Sequence, residues 1–80
     1  MNARPLKTAY ELADMIVERA SALHGRWPAG MTMFIFDDAY GWNTSISGQV
    51  SEMDEFYRSR TLDLIAMLRC RYDLDSPHID

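Results

Sequence analysis

Residues 31–47 read MTMFIFDDAYGWNTSIS and predict a β-hairpin. The first six of these residues are apolar or aromatic apart from one threonine, and the last six alternate between apolar and polar side chains. Both patterns are typical of β-strands. Asp38 is of the type that opens a turn, and a glycine ends the segment Ala39-Tyr40-Gly41. We therefore expect these three residues to form the loop of an antiparallel hairpin.

The expected loop sets the register of the two strands. It places Asp38 opposite Trp42 and Phe34 opposite Ile46. Because successive side chains alternate between the two faces, a slip of one residue would exchange the faces of one strand. We expect the bulkier face in the core, and it carries Thr32, Phe34, Phe36, Trp42, Thr44 and Ile46.

A helix is expected on each side of the hairpin. Thr8 and Glu11 have the spacing of a capping box, and Gly25 is of the type that ends a helix. Ser51 is the expected N-cap of the second helix, which should run to about Tyr72. Apolar residues recur at helical spacing, at Ala9, Leu12, Ala13, Ile16, Ala20 and Leu23 in the first helix and at Met53, Phe56, Tyr57, Leu64, Ile65, Leu68 and Tyr72 in the second.

The element order is therefore α-β-β-α. It predicts an α+β fold of two layers, in which an antiparallel β-hairpin carries both helices on one face. We expect residues 1–80 to form a single small domain, with an ordered core at about 8–72 and tails at 1–7 and 73–80. The expected core packs hairpin residues against helix residues, namely Phe34, Phe36, Trp42 and Ile46 against Leu12, Ile16, Leu64 and Leu68.

Composition restricts the classes of function. The chain has 8 Lys and Arg against 12 Asp and Glu, for a net charge of −4, which does not favour binding to phosphate backbones or to an anionic membrane. Its longest apolar runs fall far short of the ~20 residues of a membrane span. One cysteine allows no intramolecular disulfide, and residues 1–7 lack the apolar run of a signal peptide. We expect a cytoplasmic protein, and the excess of Arg over Lys favours a bacterial source.

The order α-β-β-α is similar to that of double-stranded-RNA-binding domains. Those domains have a third strand and a basic start to their last helix. Here the second helix begins Ser51-Glu52-Met53-Asp54-Glu55, which repels phosphate. The likeness is one of element order alone, and no nucleic-acid binding is expected.

Few residues are of a type and spacing that could carry chemistry. Asp37 and Asp38 could bind a divalent cation or share acid and base roles, although aspartates also open turns. His78 lies among acidic residues near the end of the chain, but the spacing matches no metal motif. Cys70 has no base tied to it by a motif. We predict no catalytic, cofactor-binding or metal-binding residue, no cofactor, and no enzymatic activity.

The second face of the hairpin predicts an interface. It carries Met31, Met33 and Ile35 beside small polar residues. A two-stranded sheet leaves both edges unpaired, and an apolar row beside an unpaired edge is typical of an association surface. These three residues are the candidate interface, through which the first strand would form a homodimer. The alternative is that the helices lie on both sides of the hairpin and bury both faces.

The function most consistent with these features is that of a small non-catalytic cytoplasmic protein, with an interaction or regulatory role, that self-associates. One alternative is an acidic mimic of nucleic acid that blocks a basic groove, which would require carboxylates clustered on one side of the fold. The other is a small metal-binding or enzymatic domain that uses Asp37 and Asp38 or the segment around His78.

Overall fold

The computed structural model describes residues 4–38 and 41–75. Strands β2 and β3 form an antiparallel pair, and the two-residue strands β1 and β4 form a separate parallel pair. In chain order the elements are β1 (Leu6–Lys7), α1 (Ala9–His24), β2 (Thr32–Asp38), β3 (Gly41–Ser47), α2 (Glu52–Arg71) and β4 (Asp73–Leu74).

Both helices begin at the N-caps that the sequence predicts. The Thr8 N–H donates to Glu11 Oε1 at 2.9 Å, and Thr8 Oγ1 accepts from the Glu11 N–H at 3.1 Å, which completes the capping box of α1. The bond from the Thr8 N–H lowers the pKa of the Glu11 carboxyl. At the start of α2, Ser51 Oγ accepts from the Asp54 N–H at 3.1 Å. These bonds satisfy N–H groups that have no partner within the helix.

The two helices lie on one face of the β2–β3 hairpin and pack against each other. Helix α1 covers β2, and helix α2 covers β3. This confirms the two-layer α+β fold with both helices on one side of an antiparallel hairpin. The buried residues between the layers are Leu12, Ile16, Ala20, Met31, Trp42, Ile46, Tyr57, Thr61, Leu64, Ile65 and Leu68.

The expected register of the hairpin is wrong by one residue. Asp38 pairs with Gly41, so Gly41 is the first residue of β3 rather than the last residue of a three-residue loop. Asp37, not Asp38, lies opposite Trp42, and Ile46 lies opposite Met33 instead of Phe34. Two residues, not three, separate the paired strands, which exchanges the faces of β2 relative to β3.

Because the register differs by one residue, two of the four hairpin residues predicted in the core are not buried. Trp42 and Ile46 are buried as predicted, as are the four helix residues expected to pack against them. Phe34 and Phe36 are not buried, because they lie on the opposite face of the hairpin from the helices. Their places against the core are taken by Met33 and Ile35, which are half-buried. The inner face of β2 therefore carries smaller side chains than predicted.

Parts of both predicted tails are structured. Leu6 and Lys7 pair with Asp73 and Leu74, which lie at the other end of the described chain. The Asp73 N–H donates to the Pro5 carbonyl oxygen at 3.0 Å. This pair lies beside β3, since Trp42 Nε1 donates to the Tyr72 carbonyl oxygen at 2.8 Å. Strand pairing therefore reaches residues 6–7 and 73–74, and residues 76–80 lie outside the described residues.

Two glycines meet at the end of the hairpin away from its turn. Gly30 precedes β2 and Gly48 follows β3, with φ values of 86° and 89°. A Cβ atom added to Gly48 would collide with the carbonyl oxygen of Gly30. Glycine at position 48 therefore permits both the positive φ and the close approach of the two backbones.

Candidate interaction surface

The outer face of the hairpin, which the helices do not cover, exposes two aromatic side chains. Phe34 is 67% exposed and Phe36 is 44% exposed. The β3 residues opposite them are Ser45 and Asn43, which are too small to cover a phenyl ring. We define the outer face as Thr32, Phe34, Phe36 and Asp38 of β2 with Gly41, Asn43, Ser45 and Ser47 of β3.

The far edge of β3 is closed by side chains. The Thr44 N–H donates to Asn43 Oδ1 at 2.8 Å, and the Ile46 carbonyl oxygen accepts from Arg58 Nε at 3.2 Å. Both groups therefore point away from β2. At the turn end of the same strand, the Trp42 side chain holds the segment before β4 against β3. An approaching strand would find the Thr44 N–H and the Ile46 carbonyl oxygen already bonded.

The far edge of β2 is open by comparison. Thr44 lies opposite Ile35, and Ile46 lies opposite Met33. In an antiparallel pair, the N–H and C=O groups of two directly opposed residues either face each other or both face away from each other. Since those of Thr44 and Ile46 face away from β2, those of Ile35 and Met33 face away from β3. Among the described residues, no hydrogen bond from another element reaches these backbone groups of Met33 or Ile35.

A groove runs along this open edge, between β2 and the first half of α1. Its two adjoining parts have volumes of about 340 and about 350 Å³ and share Ala9, Tyr10 and Ile35. Ala9 and Ala13 leave room because they are small, while Tyr10 is exposed. We call it the edge groove, and its lining residues are Thr8, Ala9, Tyr10, Ala13, Met33, Phe34, Ile35, Phe36, Asp37, Leu74 and Asp75.

The structure places the three candidate interface residues on the inner side of the hairpin. Met31 is buried in the core, and Met33 and Ile35 pack against the core while one side of each lines the edge groove. They are therefore not the exposed apolar row that the predicted register implied. That row is formed by Phe34 and Phe36, and a hairpin loop of two residues, Ala39-Tyr40, predicts it.

The predicted acidic residues Asp37 and Asp38 lie at the turn end of the hairpin. There they line a depression of about 440 Å³ together with Asp73 and Asp75. No group of three His, Cys, Asp or Glu side chains among residues 4–38 and 41–75 is arranged to hold a metal ion. His78, the other predicted metal-site residue, lies outside the described residues.

A second exposed apolar surface lies at one end of the helix pair. A depression of about 320 Å³ is lined by His24, Met53, Phe56, Tyr57 and Arg60. The Arg60 guanidinium lies 4.7 Å from the centre of the Phe56 ring, so a charged group covers part of the apolar surface. We call these five residues the helix patch. Sequence reasoning assigned Met53 and Phe56 to the apolar face of the helix and did not expect them to be exposed.

Comparison with known proteins adds no family to this description. No protein-family model, curated protein or solved structure matches the chain. No helix within the described part of the chain is long and apolar enough to cross a membrane.

Proposed function

We propose that this chain is a small non-catalytic interaction protein that self-associates through the outer face and the open edge of its hairpin. The observation that supports the proposal is the exposure of Phe34 and Phe36 beside the outward backbone groups of Met33 and Ile35, which receive no hydrogen bond from another element within the described residues. A regulatory role would depend on association through this surface.

The energetic argument starts from the two phenyl rings. Burying one phenylalanine side chain stabilises a complex by about 1.5–3 kcal/mol relative to leaving it in water. Two adjacent rings on one strand can therefore supply several kcal/mol to an interface, and aromatic residues dominate the energetics of many interfaces. The helix patch is the weaker candidate because the Arg60 side chain already lies over Phe56.

The proposal is tested by the molar mass in solution. We expect light scattering behind a sizing column to give the mass of two chains for the wild type at submillimolar concentration. The double variant Phe34→Thr/Phe36→Thr should give the mass of one chain, because it removes both rings and retains β-forming side chains. Leu23→Thr is the matched control, since Leu23 is as exposed as Phe34, at 67%, but lies on α1. A wild type with the mass of one chain would refute self-association.

We further propose a cytoplasmic location. The support is the single cysteine, Cys70, which is free and exposed on α2. An exposed thiol persists most readily in a reducing compartment. Fractionation of the source cells with an antibody against the chain tests this, and recovery in an extracellular or membrane fraction would contradict it.

The acidic end of the hairpin favours a second candidate, an acidic mimic that binds a basic groove on another protein. Asp37, Asp38, Asp73 and Asp75 line one depression, as such a mimic requires. The chain should then bind a basic polypeptide with an affinity that falls steeply with salt. Asp38→Asn/Asp75→Asn should weaken that binding, whereas Glu18→Gln on α1 should leave it unchanged. Salt-independent binding, or equal effects of both variants, would rule out this candidate.

A further inference from the structure

The outer face of the hairpin has a raised strand and a recessed strand. On β2, the rings of Phe34 and Phe36 are 67% and 44% exposed, and we call these two residues the ridge. On β3, the residues opposite them are Ser45 and Asn43, whose side chains are much smaller, and we call these two residues the trough. One face of the molecule therefore carries both a projection and a recess, side by side and of the same length.

We infer that two chains pack their outer faces together, with the ridge of each chain lying in the trough of the other. The inference rests on the proposed self-association and specifies its geometry. It assigns the contact to the outer face and requires no hydrogen bonds between strands of the two chains. Because both helices pack on the inner side of the hairpin, the helices of each chain lie away from the contact and do not obstruct it.

A two-fold axis parallel to the strands produces this arrangement. Such an axis, midway between the two facing sheets, places β2 of each chain over β3 of the other. It moves no residue along the strand direction, so the pairing within one hairpin sets the contacts: Phe34 lies over the partner's Ser45, and Phe36 lies over the partner's Asn43. An axis across the strands would place ridge on ridge and leave both troughs empty, and the atoms that line a void lose their packing contacts.

The two hairpins then form a β-sandwich. Facing sheets in sandwiches lie about 10 Å apart with their strand directions about 30° apart, and the side chains of the two faces interdigitate. This spacing is filled best when a large side chain faces a small one. In the inferred dimer each phenyl ring faces a serine or an asparagine, so the observed division of large and small residues between β2 and β3 is the one that such packing requires.

The charge distribution favours a second copy as the occupant of the outer face. Two chains with a net charge of −4 repel each other, so they can associate only through a surface that adds little further repulsion. Except at its turn end, the outer face carries no charge, since its residues there are Thr32, Phe34, Phe36, Asn43, Ser45 and Ser47. Such a face offers no electrostatic attraction to a basic partner either.

The two-fold axis places the turn ends of both hairpins, each with Asp38 on the outer face, at the same end of the sandwich. Across a gap of about 10 Å between the sheets, exposed charges are largely screened at physiological salt, where the Debye length is about 8 Å. The dimer should therefore become tighter as salt is added, because screening reduces the repulsion between the two acidic chains. Binding of a basic polypeptide would change in the opposite direction.

The size of the outer face predicts a weak dimer. Two strands of seven residues form a face of about 24 by about 10 Å, or roughly 240 Å². Each partner in a stable complex buries more than this, about 800 Å². The association should therefore be reversible, and the mean molar mass should rise with protein concentration over the submillimolar range.

The first test fills the trough. Ser45→Phe should raise the dissociation constant of the dimer by about tenfold or more, because the added ring occupies the space that the partner's ridge requires. Ser59→Phe is the matched control, since it adds the same ring at an exposed serine of α2. Sedimentation equilibrium over a concentration series measures both constants, and thermal unfolding shows that the variants fold. An unchanged or tighter dimer of Ser45→Phe, or an equal loss in Ser59→Phe, would overturn the inference.

The second test uses the wild-type chain. In a mixture of isotope-labelled and unlabelled chains, isotope-filtered NMR detects only contacts between different chains. We expect contacts from the Phe34 ring to the partner's Ser45 and from the Phe36 ring to the partner's Asn43. Contacts between rings of the two chains, without any contact from a ring to the trough, would place ridge on ridge and would overturn the inference.

These measurements separate the inference from the proposed function. A wild type with the mass of one chain at every concentration refutes self-association and the packing of outer faces together. A wild type that forms a dimer whose contacts between chains lie along the open edge of β2 retains the proposed function and refutes only the packing of ridge in trough.

Discussion

The two strands of the hairpin have the same length, but they differ in whether the backbone groups on their free edges are hydrogen-bonded. On β3, Asn43 and Arg58 bond the outward backbone groups, and the segment before β4 lies against the strand. On β2, the outward groups of Met33 and Ile35 border a groove and receive no hydrogen bond from another element within residues 4–38 and 41–75. Proteins usually block exposed edges because these recruit other strands. A chain that blocks one edge with dedicated side chains and leaves the other open has one edge available for pairing.

The two faces of the hairpin also differ, in how far they are covered. The inner face is packed against two helices, whereas the outer face carries Phe34 and Phe36 in water. Both the open edge and the exposed rings belong to β2, while β3 presents small polar residues outwards. The proposed association surface therefore lies on β2.

The largest expected effect is a change in the free energy of unfolding, and it should differ between the inner and outer faces of the hairpin. Trp42→Ala should lower the free energy of unfolding by about 3–5 kcal/mol, because the ring is 2% exposed and its N–H bonds the Tyr72 carbonyl oxygen. Phe34→Ala should change it by less than about 1 kcal/mol, since the ring is mostly in water. Urea unfolding at low protein concentration measures both. Equal losses would mean that the outer face is covered within the single chain.

A second prediction concerns the end of the hairpin that holds both strands together. Gly48→Ala should cost at least about 2 kcal/mol, because the new Cβ adds a collision with the Gly30 carbonyl oxygen to the strain of a positive φ. Gly25→Ala is the control: its φ of 92° is nearly the same, but nothing lies within 4 Å of the added atom. It should cost only the strain of its own backbone conformation, about 1–3 kcal/mol, and less than Gly48→Ala. Thermal unfolding compares the two, and equal effects would remove the role assigned to the glycine contact.

A smaller effect is expected from opening the closed edge. Arg58→Met retains much of the aliphatic stem and removes the bond to the Ile46 carbonyl oxygen, which should cost about 1 kcal/mol. It should also increase the mass seen by light scattering, because β3 then presents an unblocked group. Glu55→Gln removes only the exposed ion pair with Arg58, at 3.3 Å, and should have almost no effect. If Arg58→Met does not alter the mass, blocking by Arg58 is not what distinguishes the two edges.

The smallest effect is a pH dependence at the start of α1, which borders the edge groove. The pKa of Glu11 is lowered in the folded chain by the Thr8 N–H bond, so its contribution to stability is present above the unfolded pKa. That contribution is lost as the pH falls through the folded pKa. Glu11→Gln should flatten this part of the curve of stability against pH. A curve that Glu11→Gln leaves unchanged would rule out this contribution.

Local signals were sufficient for much of the fold. The caps at Thr8 and Ser51 depend on residues three positions apart, and the alternation in β3 places Trp42 and Ile46 on one face whatever strand pairs with it. The helices, the hairpin and the packing of both helices on one face of it could therefore be predicted. The candidate site could not, because both faces of β2 are apolar and its side-chain pattern favours neither.

By itself, the sequence determined the two helices, the two strands of the hairpin, their order and the inward face of β3, because these depend on contacts between near neighbours in the chain. Only the tertiary structure decided which face of β2 is buried, since that depends on a loop one residue shorter than expected. It also decided the pairing of Leu6–Lys7 with Asp73–Leu74 and the bond from Arg58 to Ile46. These contacts join distant or separately folded segments, and no periodicity within either segment encodes where the other will lie. The difference between an open and a closed edge arises from such contacts.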